Sequence, residues 1–181
     1  HQVFAAIKEE FAQISVTCTA PSKTFNIASM MISNIFIPNR ELKAKFRAQL
    51  DAAGISQLNV LGLVACEAAY AHGEEWYKAM HSYVADNIAF TKEYVETQLP
   101  GVSMVDHEGT YLVWLDFRET GLSVDELEDL IVHRAKLWLD SGKIFGDCGK
   151  GFQRINVACP RATLQEALDR IKTALQESEA Q

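Results

Sequence analysis

The sequence predicts an α/β fold, and three observations carry that prediction. Apolar and β-branched runs bounded by Pro and Gly alternate with stretches of helical periodicity. The elements come in the order β-β-α-α-α and then β-β-α-β-α, with a break at Pro100-Gly101 and no internal repeat. The composition, 48% hydrophobic and 23% charged over 181 residues, is that of a soluble globular chain rather than a disordered one.

Taken in order, residues 2–13 read as a short helix, and Ile14 to Ala20 is a β-branched run ended by Pro21, the pattern of a buried strand. Met30 to Ile37 reads as a second strand, stopped by Pro38. Asn39 then has the chemistry of a helix cap, and Leu42, Phe46 and Leu50 recur on one face of the helix that Gly54 ends. Two further helices are predicted over 56–72 and 74–98. Beyond Pro100-Gly101, residues 102–105 and 111–117 read as strands joined through His107-Glu108-Gly109. Ser123 and Glu126 form a capping box for a helix through Trp138, and a Gly-rich loop from Gly142 to Gly151 leads into a strand over 152–159. Thr163 and Glu166 predict a second capping box, ahead of a stripe at Leu164, Leu168, Ile171 and Leu175.

Charge and cysteine usage exclude several classes. The formal net charge of -7 argues against a general nucleic-acid binder and against an anionic membrane surface, and no apolar run is long enough to span a bilayer. Cys18, Cys66, Cys148 and Cys159 form no C-x-x-C pair. They read as buried free thiols of a cytoplasmic protein, not as a disulfide framework or a zinc site. His72, His81, His107 and His133 lack ligand spacing, so no metal is assigned. No signal peptide opens the chain, which begins at His1 as though part of something longer.

Two residues stand out chemically. Lys23 follows the carboxyl end of an apolar strand, in a stretch without another charge between Glu10 and Arg40. Such strand ends are where ligands bind in open α/β sheets. A desolvated lysine amine can attack a carbonyl to form a Schiff base; the competing reading is a lysine that snorkels to solvent. On the strand over 152–159, alternation sets Ile155, Val157 and Cys159 on one face and Phe152, Arg154, Asn156 and Ala158 on the other. Arg154 is thus placed either to grip a carboxylate with two parallel N–H groups or to pair with an internal Asp or Glu. Arg161 reads as a brace for its loop. The glycines from Gly146 to Gly151 lack a Walker-type ending and read as a turn.

At this point the residues resemble a known family. Thr17-Cys-Thr-Ala-Pro-Ser-Lys23-Thr-Phe-Asn26 is similar to the cofactor-lysine motif of fold-type I pyridoxal-phosphate (PLP) enzymes. The likeness is to the MalY/PatB group of cystathionine β-lyase-like C–S lyases in the class I/II aminotransferase superfamily. Three collinear stretches share it: Glu108 to Arg118, the loop at Phe145-Gly146, and Gly151 to Arg161.

The resemblance implies that Lys23 holds pyridoxal 5'-phosphate through a Schiff base and moves the substrate Cα proton. It implies that Ser22 helps hold the cofactor phosphate and that Arg154 binds the substrate α-carboxylate. Met31 stands where the wider superfamily places a phosphate-binding arginine. The implied chain is a carboxy-terminal half: residues 1–73 as the end of the PLP-binding large domain, 74–100 as a connecting helix, and 101–181 as the small domain. The implied reaction is β-elimination from cystathionine or a cysteine-type amino acid, in a cytoplasmic homodimer. An aminotransferase and a non-catalytic interaction module of the same fold are the alternatives, and the half-chain alone is expected to be inactive.

Overall fold

The computed structural model describes residues 2–55 and 57–179. The chain forms two compact units, one running to Ala79 and the other starting at Met80.

In the first unit the amino-terminal helix is two short pieces, α1 (Phe4–Ile7) and α2 (Glu9–Gln13), because Lys8 between them is fully extended at φ -151°. The rings of Phe4 and Phe11 stack across the break, 4.7 Å between centroids. Strands β1 (Thr17–Thr19) and β2 (Asn34–Phe36) pair antiparallel, with Cys18 opposite Ile35. Both are shorter than the sequence predicts. Pro21 ends the first, and a 3-10 turn at Ala28–Met30 followed by Met31 at φ 50° delays the second. The first strand is also not buried: Cys18 and Thr19 are exposed, because the ribbon has no third strand among the described residues.

Helix α3 (Arg40–Ala52) begins as predicted, with Asn39 Oδ1 accepting from the backbone N–H groups of Glu41 and Leu42 at 2.9 and 3.1 Å. Gly54 at φ 70° ends it. Helix α4 (Val60–His72) is capped by Asn59; of the predicted 56–72 stretch, Ser56 lies outside the described residues. Gly73 separates α4 from α5 (Glu74–Gln98).

In the second unit β3 (Ser103–Met104), β4 (Leu112–Asp116), β5 (Asp140–Ser141) and β6 (Phe152–Asn156) form an antiparallel sheet in the order β3-β4-β6-β5. Its core joins Val113, Leu115, Ile155 and Val157 from the sheet region with Val95, Leu127, Leu130 and Ile131. The predicted stripe of Leu164, Leu168, Ile171 and Leu175 on α7 (Arg161–Glu179) completes it. The carboxyl-terminal part of α5 packs here too, through Val84, Tyr94 and Val95.

Three expectations are corrected. Helix α6 (Val124–Asp129) carries the Ser123–Glu126 capping box but does not reach Trp138. It widens into a π-turn over Leu130–Arg134, where the N–H of Ala135 reaches the carbonyl of Leu130, and Lys136 at φ 54° ends it. That early end frees Asp140–Ser141 to become an edge strand that the sequence reading missed. The second capping box does not form: α7 starts at Arg161, so Thr163 lies inside the helix, and the Arg161 N–H is met at 2.7 Å by the Tyr83 hydroxyl from α5. Finally, of the four cysteines only Cys66 is buried; Cys159 is half-buried, Cys18 and Cys148 are exposed, and all are free.

Candidate active site

Lys23 sits in the turn that follows β1. Buried Pro21 and half-buried Ser22 supply the carbonyls that receive the N–H groups of Phe25 and Ile27, at 2.9 and 3.0 Å. Asn26 takes the left-handed conformation, φ 54°, that closes the turn. Phe25 then anchors it: its ring lies 5.9 Å from Trp76 and 5.8 Å, edge-on, from Tyr70. Gly73 is small for that reason, since a Cβ there would come within 2.6 Å of the Phe25 ring. The Lys23 side chain is exposed and has no hydrogen-bond or carboxylate partner among the described residues. An unpaired primary amine beside the Ser22 hydroxyl fits an aldehyde-bearing, phosphorylated cofactor such as PLP in its donor chemistry. No cation stands in for phosphate binding at position 31, where Met31 is 87% exposed.

Arg154 lies on β6, in the second unit, directly opposite Trp114 of β4 and Asp140 of β5. Its Nε and Nη2 both donate to Asp140 Oδ2, at 3.1 and 2.7 Å. The Phe145 ring lies against the guanidinium, 4.6 Å from Cζ, and meets Trp114 edge-on at 5.1 Å. Phe145 reaches this position because the loop is pinched: a Cβ on Gly142 would stand 1.9 Å from the Gly149 carbonyl oxygen, so two glycine backbones touch where no side chain fits. The Gly-rich stretch is therefore a structural clasp, in keeping with the turn read from sequence.

Supporting groups hold β6 in place. Gln153, 1% exposed, donates to Glu128 Oε1 at 2.8 Å. Burial opposes ionisation of Glu128, yet hydrogen bonds from Ser141 and Gln153 and the charge of Lys143 outweigh it and hold the carboxyl below its ordinary range. At the β4 end, the Arg118 guanidinium bonded to Asp116 at 2.7 Å lowers that carboxyl against its partial burial. Asn87 of α5, fully buried, donates to the carbonyls of Val157 and Cys159 at 2.8 and 2.9 Å and accepts from Arg161 Nε at 2.7 Å. Arg161 is thus the brace the sequence suggested, with its guanidinium also 4.3 Å from the Phe90 ring centre.

Ser22 and Lys23 are neighbours in one turn, whereas Arg154 belongs to the other unit. The sequence reading missed Asp140, Phe145 as the face against Arg154, and Asn87. Only Phe145 had a signal, inside a loop whose motif was noticed. No helix of the described residues is long and apolar enough to cross a membrane, and none of their His, Cys, Asp and Glu side chains cluster as metal ligands.

No family model matches the chain. It is 44% identical to the cystathionine beta-lyase PatB of Bacillus subtilis over 175 residues, 97% of this chain and 45% of that protein. It is 35% identical to the cystathionine beta-lyase of Corynebacterium glutamicum over 181 residues, 97% of this chain and 46% of the relative. Cystalysin of Treponema denticola, whose crystal structure contains pyridoxal 5'-phosphate, superposes with a TM-score of 0.93 at 39% identity, over 98% of this chain and 45% of cystalysin. The fold is accordingly that of the fold-type I PLP-dependent aminotransferase class. Within that class the chain is similar to the cystathionine beta-lyases of the MalY/PatB group, and it spans 39–46% of the length of these relatives.

Proposed function

We propose that this chain supplies the cofactor lysine and the substrate-carboxylate arginine of a PLP-dependent carbon–sulfur β-lyase acting on cystathionine or cysteine-type amino acids. The observation that carries the reading is a lysine without a partner among the described residues, in the Ser22-Lys23-Thr24 turn, in a chain 44% identical to a cystathionine beta-lyase.

PLP, when bound, stores the electron pair released as the substrate Cα proton leaves. Lys23 would hold the cofactor through its amine, with Ser22 at the phosphate. Lys23 Nζ would take the Cα proton, and elimination of the β-thiol, followed by hydrolysis of the released enamine by one water, would give pyruvate, ammonia and the free thiol. The Arg154 guanidinium holds the α-carboxylate with parallel N–H donors, so that Cα is presented in one orientation. The Phe145 ring, braced edge-on by Trp114, covers one face of that guanidinium and holds its plane.

In this reading residues 1–73 form the end of the cofactor-binding large domain, 74–100 the connecting helix and 101–181 the small domain, matching the carboxy-terminal part of the relatives. The active form is a cytoplasmic homodimer. Pyruvate and thiol release from cystathionine by the full-length, PLP-loaded protein tests the reading. Efficient amino-group transfer to a 2-oxo acid with no pyruvate release would replace it with an aminotransferase, and cofactor binding without turnover would make it an interaction module.

A further inference from the structure

Arg154 lines two clefts of the second unit. Asp140 lines one of them, with Trp138 and Thr163; the other, of about 450 Å3, is lined by Asp106, His107, Glu108, Thr110, Leu112 and Trp114 and does not include Asp140. A planar guanidinium offers two edges with parallel N–H pairs, Nε with Nη2 and Nη1 with Nη2. The first is taken: both of its donors converge on Asp140 Oδ2. Nη1 has no acceptor among the described residues, and Phe145 fixes the plane from one face.

We infer that Asp140 is a positioning residue: by occupying the Nε edge of Arg154 it turns the Nη1/Nη2 edge toward the Trp114 cleft as the only place a carboxylate can be gripped with two bonds. This rests on the assignment of Arg154 to the substrate carboxylate and adds which edge binds and what sets it. A carboxylate gripped at the Nε edge would approach from a different direction and carry Cα to a different place. Fixing the edge therefore fixes where the proton to be removed lies, and a misplacement on the order of 1 Å is enough to slow chemistry by about 100-fold. Asp140 touches no reacting atom; it acts through Arg154.

The test follows the Arg154 side-chain 15N–1H signals by NMR in the full-length protein, with and without PLP, during titration with propionate, a carboxylate that lacks the reacting amine. The signals are assigned by their loss in Arg154→Lys. In the wild type, propionate is expected to shift the Nη signals and leave Nε–H in place. In Asp140→Ala the same titration shifts Nε–H, because that edge is open. Asp140→Asn, which keeps an acceptor and the side-chain shape, restores the wild-type pattern. In the lyase assay, Asp140→Ala lowers kcat more than it raises KM. A wild-type Nε–H shift would overturn the proposal by showing that the ligand displaces Asp140. An unmoved Nε–H in Asp140→Ala, with the Nη shifts intact, would overturn it while leaving Arg154 as the carboxylate site. No shift of any Arg154 signal in either protein would overturn both.

Discussion

Replacing Asn87 with Ala removes the most fully satisfied buried polar side chain in the second unit. Asn87 is 0% exposed, and its amide makes three hydrogen bonds: two to the carbonyls of Val157 and Cys159 and one from Arg161 Nε. The variant leaves two carbonyls and one guanidinium N–H without this partner, beside a small cavity. At about 1 kcal/mol for each hydrogen bond and more where a group is stranded away from water, the expected loss is about 2–4 kcal/mol. For a unit of roughly 100 residues that lowers the melting temperature by about 10–20 °C. Urea unfolding followed by tryptophan fluorescence measures it. Asn87→Asp should be no better, because the carboxylate keeps the Arg161 contact but cannot donate to either carbonyl. The physical reason for concern is local: β6 runs from Phe152 to Asn156, and Asn87 pins the chain immediately after it, so Arg154 loses its fixed seat. A loss below about 0.5 kcal/mol in Asn87→Ala, which is the size of an ordinary surface substitution, would refute this reasoning.

Four further outcomes follow from the same geometry. Gly142→Ala should cost about 1–3 kcal/mol, because its Cβ would stand 1.9 Å from the Gly149 carbonyl oxygen and the backbone must yield; chemical denaturation reads it. Phe25→Ala, which removes a half-buried ring stacked on Trp76 and edge-on to Tyr70, should cost about 2 kcal/mol and slow condensation of PLP with Lys23, followed by absorbance. Asp116 and Glu128 both have folded-state carboxyls below their ordinary values, so each contributes stability at neutral pH that is lost as pH falls below about 4. Urea midpoints between pH 7 and pH 3 should fall less steeply in Asp116→Asn than in the wild type. Arg154→Lys should raise KM for the amino-acid substrate by at least about tenfold, since an ammonium cannot replace two parallel donors.

Much of this molecule can be read from residues alone where local chemistry decides. Asn39 and Gly54 bound α3 where predicted, the boundary between α4 and α5 falls at Gly73 as the 56–72 and 74–98 stretches imply, and the α7 stripe faces the core because periodicity on a packed helix leaves little choice. The departures are tertiary. The helix after Ser123 stops early because a π-turn drives Leu130 and Ile131 into the core, which no propensity announces. Arg161 begins α7 two residues before the apparent capping box because a hydroxyl from α5 satisfies its N–H. The β-branched run at Ile14 stays exposed for the opposite reason: its pattern asks for covering layers that the two-stranded ribbon does not have among the described residues. At the candidate site, Lys23 and Arg154 were legible as types in context. Asp140 was not, because its partnership depends on a strand register fourteen residues away in sequence.

The central claim is that Lys23 is the amine that captures the cofactor. Intact-mass analysis after addition of pyridoxal 5'-phosphate and reduction with borohydride, with the modified peptide mapped, tests it most directly. One adduct per chain is expected, carried on the peptide containing Ser22-Lys23-Thr24 and lost in Lys23→Ala. A full-length protein that takes up the cofactor on another lysine, or retains its adduct in Lys23→Ala, would contradict it.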